Sequence, residues 1–151
     1  MLQQFLPIND QYWNMIKDGD YRGMNLFLKH YSNKNQDRKV YQFVGPGQKL
    51  VLLTDYCDAL FVWRKFITDN NQNGVNCAVF RNESKMLSST LILEACDIAW
   101  KRWPNERLYT YVDASKIRSV NPGYCFKQAG FYRCGITKVN KLVIFPRLPT
   151  Y

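Results

Sequence analysis

The hydrophobic period of this chain changes once, near residue 88, and that change limits the folds open to it. Before it, the runs Lys49–Thr54, Ala59–Phe66 and Val75–Arg81 are dense in Val, Leu, Phe and Trp. They are separated by Asp55-Tyr-Cys-Asp58 and by Asp69–Gly74, both rich in turn formers. Such runs predict strands, and connections this short predict an antiparallel meander. After it, Leu91, Ile92, Ala95, Ile98, Ala99 and Trp103 recur at helical spacing, so Ser88–Trp103 predicts the longest helix. Ser88, Ser89 or Thr90 is placed to cap its start, and Pro104 enforces its end. The class is α/β, of the α+β kind.

Upstream, Tyr12, Trp13 and Ile16 stand at helical spacing within Asn9–Lys17, and Asp18-Gly19-Asp20 ends that predicted helix. A second helix is expected from about Asp20, its cap, to Tyr31, with Met24, Phe27, Leu28 and Tyr31 on one face. Downstream come a strand over Leu108–Asp113, a short helix over Pro122–Ala129, and a closing hairpin of Phe131–Lys138 with Lys141–Phe145. The predicted order is ααβββαβαββ. No repeat, low-complexity block or linker divides residues 1–151, which read as one domain.

Charge is unevenly spread. Of the net +9, residues 98–151 carry almost all, and after Asp113 there are seven cations and no acid. A basic stretch of this kind is either a solvated face or the docking surface for a polyanion or anionic cofactor. No apolar run approaches the roughly 18 residues of a membrane helix, and Met1-Leu-Gln-Gln-Phe-Leu-Pro7 lacks the pattern of a signal peptide. The expected location is the cytoplasm. The five cysteines (Cys57, Cys77, Cys96, Cys125, Cys134) contain no C-x-x-C pair and are expected as buried thiols rather than a zinc site.

The element order resembles that of the GNAT acyltransferase fold. That fold has a mixed, mostly antiparallel sheet of about six to seven strands flanked by four helices, with its central strands splayed. Only Leu2–Leu6 is available for the family's first strand. Asn121-Pro-Gly-Tyr-Cys-Phe-Lys-Gln-Ala-Gly-Phe131 matches the family's habit of ending a helix in Gly-Phe at the start of the next strand. Within that superfamily the chain is similar to the Mom-like DNA-modification proteins of phages and prophages. The similar segments are Phe43–Gly47, Ala59–Phe66, Val75–Ser84, Tyr109–Asp113, Lys116–Phe126 and the pair His30-Tyr31. This resemblance implies a transferase that attaches an acetamido-type (carbamoylmethyl) group to adenine N6 in double-stranded DNA, shielding it from host restriction in the bacterial cytoplasm.

The GNAT resemblance also implies acetyl-CoA or a related acyl donor, bound along a splayed strand and the start of the following helix. There, backbone amides and the positive end of the helix dipole meet the pyrophosphate. Carried onto this sequence, the cofactor residues are Phe80, Arg81, Asn82, Ser88, Ser89, Thr90 and Asn121, with Lys85 as a further charge. The loop Asn82–Thr90 lacks the Gly-rich pyrophosphate signature usual in the family. Many members place a tyrosine four residues before the Gly-Phe to protonate the leaving thiolate, and here that residue is Phe126. Tyr124 is the nearest substitute, although a helix turns it about 200° from Phe126.

Asp113 ends the predicted central strand and is a candidate general base for an adenine amine, or equally a salt-bridge partner of Lys116 or Arg118. Ser119 and Asn121 follow in the same loop; Asn121 before Pro122 is also an ordinary turn residue. His30, the sole histidine, sits near the predicted end of the second helix, where a lone histidine is commonly a dipole-stabilised cap. The resemblance makes His30 with Tyr31 a catalytic pair and His30 a candidate ligand for iron. For DNA, the candidate contacts are Arg64, Lys65, Lys116, Arg118, Lys127, Arg133 and Lys138, interleaved with aromatics able to stack on an extruded base. Chemistry at adenine N6 requires the base to leave the duplex. Two other functions fit the same residues: an N-acetyltransferase for a small amine or protein, and a catalytically inactive DNA-binding module. Monomer and homodimer are both open.

Overall fold

The computed structural model describes residues 6–7, 12–29, 42–66, 72–116, 123–138 and 140–149. Eight strands form one sheet: β1 (Leu6–Pro7), β2 (Trp13–Ile16), β3 (Gln48–Thr54), β4 (Ala59–Lys65), β5 (Val75–Asn82), β6 (Leu108–Val112), β7 (Gly135–Ile136) and β8 (Val143–Arg147). Their spatial order is β1-β2-β3-β4-β5-β6-β8-β7. Every neighbouring pair is antiparallel except β5/β6. The chain is a mixed α/β fold on a mostly antiparallel sheet.

The β3–β4–β5 meander forms where expected. Its first turn is held by Thr54, whose Oγ1 accepts from Asp58 N and Ala59 N and donates to Asp58 Oδ1. Helix α2 (Ser88–Arg102) then crosses one face, burying Leu91, Ile92, Ala95, Cys96, Ile98 and Ala99. Two tryptophans bolt it down: Trp63 Nε1 donates to Ala95 O and Trp13 Nε1 to Leu91 O, at 2.9 and 2.8 Å. A buried indole N–H needs a partner, and both find one on a helix carbonyl. Helix α1 (Met24–Lys29) covers the other face with Leu26 and Phe27, against Val51, Leu53, Leu60, Val62 and Val79.

Three expectations are corrected. The helix expected over Asn9–Lys17 is strand β2, paired with β3 from Trp13↔Thr54 to Ile16↔Val51. Trp13 and Met15 pack toward α2 and Ile16 toward α1, so the strand is covered on both faces and shows no alternation to the eye. The Glu94 carboxylate on α2 fixes its start by accepting from Tyr12 N and Trp13 N. Three α-helices, not four, occur among the described residues: α1, α2 and α3 (Tyr124–Gln128). Ser88, Ser89 and Thr90 do not cap α2 either; its N-cap is Leu87, with no side-chain bond, because the Ser88 hydroxyl is taken by Asn82 Nδ2 at 2.9 Å.

Elsewhere the outcome is mixed. Asp20 does cap the second helical segment, accepting from Arg22 N at the 3-10 turn Tyr21–Gly23 that leads into α1. The segment expected to continue to Tyr31 passes outside the described residues after Lys29. Of the predicted strand Phe131–Lys138, only Gly135–Ile136 forms a regular ladder, although Tyr132 N and Cys134 N also bond to β8 carbonyls. The cysteines are all unbridged; Cys77 and Cys96 are buried, Cys57 and Cys125 half-buried, and Cys134 exposed.

Candidate functional site

The β5/β6 pair is where the sheet opens. Its register runs Val75↔Leu108, Asn76↔Tyr109, Cys77↔Thr110 and then stops, while β5 continues to Asn82 and β6 to Val112. Beside that point the β4/β5 ladder slips: Val62 pairs with Val79 but Trp63 pairs with Cys77. Ala78 is the extra residue of this β-bulge, and Ala78 and Val79 both pack on the α1 side. A bulge bends its strand and raises its twist, which turns β5 away from β6.

Several segments converge on the open end. Arg81, near the end of β5, donates through Nη1 to Lys29 O and through Nε to Glu83 Oε2. Lys29 also pairs with Glu83, so the end of α1 is tied to the end of β5, and Arg81 with Lys29 draws the Glu83 carboxyl below its ordinary pKa. Asp113 follows β6; its Oδ1 accepts from Ser115 N and Ser115 Oγ, capping a 3-10 turn at Ala114–Lys116. The β7–β8 turn reaches the same end, since Val112 pairs with Val143 and Ile136 pairs with Val143. That turn carries exposed Lys138 and Lys141.

The loop between β5 and α2 is organised by one side chain. Asn82 Oδ1 accepts from Ser84 N and Ser84 Oγ, and Asn82 Nδ2 donates to Met86 O and Ser88 Oγ. Ser84 Oγ in turn accepts from Met86 N. The Ser84 and Met86 amides are therefore used inside the loop.

The two faces beside the opening differ. On the α2 side, Phe80 meets Phe61 and Phe126 at ring distances of 5.2 and 6.0 Å, and Phe126 meets Phe131 at 5.2 Å. Phe126 thus fills the core and carries no proton to donate. Tyr124, two residues earlier at the start of α3, is 54% exposed. Three thiols lie on this side. Burial pushes Cys77 and Cys125 up and Cys96 to about 12, so all three are held in the neutral form.

On the α1 side a polar row crosses the sheet, because Lys49↔Arg64, Arg64↔Asn76 and Asn76↔Tyr109 are successive register pairs. Lys49 is ion-paired with Asp18 at 3.0 Å. Arg64 lies 3.4 Å over the Phe66 ring and donates through Nε to Pro46 O at 2.7 Å. A Cβ at Gly45 would come within 3.1 Å of its guanidinium, which explains the segment Gly45-Pro-Gly47 as a wrap around this side chain. Burial lowers the pKa of Arg64. Asn76 is 8% exposed, and its Oδ1 is buried without a hydrogen-bond partner. Leaving such an oxygen unbonded costs about 1–3 kcal/mol. Tyr109, fully buried, meets Tyr111 edge-on at 5.6 Å.

The sequence-derived candidates fall out as follows. Asp113, Arg81, Asn82, Ser88 and Lys138 gather at the open end, and Phe80 and Tyr124 flank it through β5 and α3. Ser89 and Thr90 open α2 and are half-buried. Arg64 and Lys65 point to opposite faces, Lys65 being paired with Glu106 at 2.6 Å. Lys127 and Arg133 are exposed. Lys116 ends its 3-10 turn. His30, Tyr31, Arg118, Ser119 and Asn121 lie outside the described residues, and with His30 goes the expected iron ligand; among the described residues no group of three His, Cys, Asp or Glu is arranged to hold a metal. Sequence reasoning missed Asn76. Its signal was an amide of low strand preference inside the apolar run Val75–Phe80.

No helix among the described residues is long and apolar enough to cross a membrane. Compared with family models, curated proteins and solved structures, the chain matches none.

Proposed function

We infer that this protein is a GNAT-like transferase of the Mom-like class, which attaches an acetamido-type group to adenine N6 in double-stranded DNA and so protects that DNA from restriction. One observation carries the reading: the one parallel pair among the described strands is joined over only three register pairs and opens beside a bulge. An opening there, with the long helix following the diverging strand, supports the splayed centre that the GNAT resemblance implies.

In this reading the adenine is extruded from the duplex and enters on the α1 side. Asp113 accepts or orients its amino proton from the end of β6. Lys138 and Lys141 stand at the same end and neutralise flanking phosphates. The Arg81–Lys29 bond ties the end of α1 to the end of β5, and the His30-Tyr31 pair keeps the catalytic role that the resemblance implies. The donor class is an acyl-CoA-type molecule whose reactive end enters the opening.

The reading is tested by restriction. Plasmid from cells expressing the protein resists an endonuclease whose site contains adenine, and plasmid from cells expressing Asp113→Ala is cut. Equal cutting of both overturns it.

A further inference from the structure

The last strand of the sheet is an open edge that carries charge without counter-charge. β7 ends the spatial order and pairs on one side only, with β8. Tyr132 N, Cys134 N and Thr137 N turn inward to Pro146 O, Ile144 O and Leu142 O. Amides alternate along an extended chain, so Arg133 N between the first two faces the outer edge. A Cβ at Gly135 would meet no atom within 4 Å, so a second backbone can approach closely there. Tyr132 and Ile136 are 48% and 49% exposed, and Arg133 and Cys134 are exposed beside them.

The charge continues around the β7–β8 turn. Thr137 closes that turn: its N donates to Leu142 O, and its Oγ1 accepts from Leu142 N. Lys138, Asn140 and Lys141 stand exposed at the tip, Lys141 at a φ of 55°. Arg133, Lys138 and Lys141 form no ion pair among the described residues, and no acid follows Asp113 in the chain. Cations also keep a sheet edge from pairing with another copy, but that role ends where the edge does. Here they continue past it, and Arg133 to Lys138 spans about 16 Å of extended chain, the rise of about five base pairs. The row ends near Asp113, since Ile136, Val143 and Val112 are successive register partners and Asp113 follows Val112.

We propose that the β7 edge and the β7–β8 turn are the platform for double-stranded DNA, whose phosphates Arg133, Lys138 and Lys141 meet. The proposal rests on the functional reading above and adds to it the surface that carries the duplex. The three cations neutralise phosphates, the Arg133 amide and the Tyr132 hydroxyl add hydrogen bonds, and Gly135 lets the DNA backbone come close. A nucleotide swung out of a duplex held here is delivered across β8 toward Asp113. Cys134 lies beneath the duplex.

The test reads Cys134 in the purified full chain, by alkylation with N-ethylmaleimide and peptide mass spectrometry. A short duplex at about ten times its Kd is expected to slow alkylation of Cys134 about tenfold, because only free protein reacts. Polyglutamate at the same charge concentration is expected to leave the rate unchanged. The triple variant Arg133→Gln, Lys138→Gln, Lys141→Asn is expected to lower the slope of log K against log salt by about 2.7, at about 0.9 per phosphate contact. Lys17→Gln, at an exposed cation just past β2 across the sheet, is expected to leave that slope unchanged. Bound duplex without protection of Cys134 overturns the proposal, as does an unchanged slope in the triple variant. Equal protection by polyglutamate assigns the edge to acidic protein segments and overturns it too. If wild-type protein confers restriction resistance yet the duplex leaves Cys134 unprotected, the platform falls and the functional reading stands. If it neither binds the duplex nor confers resistance, both fall.

Discussion

Thr110 Oγ1 donates to the carbonyl of Cys77 at 3.3 Å, across the last register pair of the one parallel pairing among the described strands. Beyond this bond β5 and β6 share no pairs, so it marks the apex of the opening. Thr110 is 4% exposed, and the bond is shielded from water. Thr110→Val keeps the shape and removes the donor. It is expected to lower stability by about 1–2 kcal/mol, read as a lower urea midpoint with an unchanged slope. An unchanged midpoint would show that the apex does not depend on this contact.

Gly74 sets where β5 begins. Its φ is +116°, and a Cβ there would stand 2.0 Å from Arg107 O, the carbonyl that accepts Val75 N at 2.8 Å. Gly74→Ala therefore combines a strained backbone with a clash against the parallel ladder. The expected loss is about 3 kcal/mol or more, seen as a variant that melts far below wild type or fails to accumulate folded. A variant as stable as wild type would contradict this register.

The buried thiols make stability fall at high pH. Burial raises Cys96 from its ordinary 9.0 to about 12, and raises Cys77 as well. Above pH 9 the unfolded chain loses these protons and the folded chain keeps them, so the folded state binds more protons and stability declines as pH rises toward 12. Each such group contributes a slope of about 1.4 kcal/mol per pH unit across its window. Denaturant titrations at pH 8, 9 and 10 are expected to show the decline, and Cys96→Ala to make it shallower. At pH 8 the native protein should react with a thiol reagent first at exposed Cys134 and slowly at Cys77 and Cys96.

The elements that follow one clear period were legible before any coordinates. β3, β4, β5, α2 and β6 each fall within a residue or two of their expected bounds, because each run carries its own apolar pattern. β2 was illegible for the opposite reason: Trp13 and Ile16 serve different faces, and their spacing of three imitates a helix. At the site, Asp113 and Arg81 were recognisable as residue types at the right places in the chain. Their partners, Ser115 for one and Lys29 with Glu83 for the other, arise from turns and from contacts distant in sequence. The cap expected from Ser88 failed through a competition that no period reports, since Asn82 claims its hydroxyl.

Tyr124 stands 54% exposed at the start of α3 while Phe126 is packed against Phe80. Of the two, only Tyr124 carries a proton to give. Tyr124→Phe is expected to lower turnover about a hundredfold or more, the usual worth of a positioned acid, with DNA affinity within about twofold of wild type. Single-turnover kinetics beside equilibrium binding separates the two effects. Unchanged turnover removes Tyr124 from the site.

Mass spectrometry of nucleosides tests the central claim most directly. DNA from cells expressing the protein is digested to nucleosides and compared with DNA from cells expressing Asp113→Ala. The account predicts a deoxyadenosine adduct bearing an acetamido-type group on N6, absent or much reduced in the variant. Digests with no deoxyadenosine adduct from the wild-type protein would contradict it.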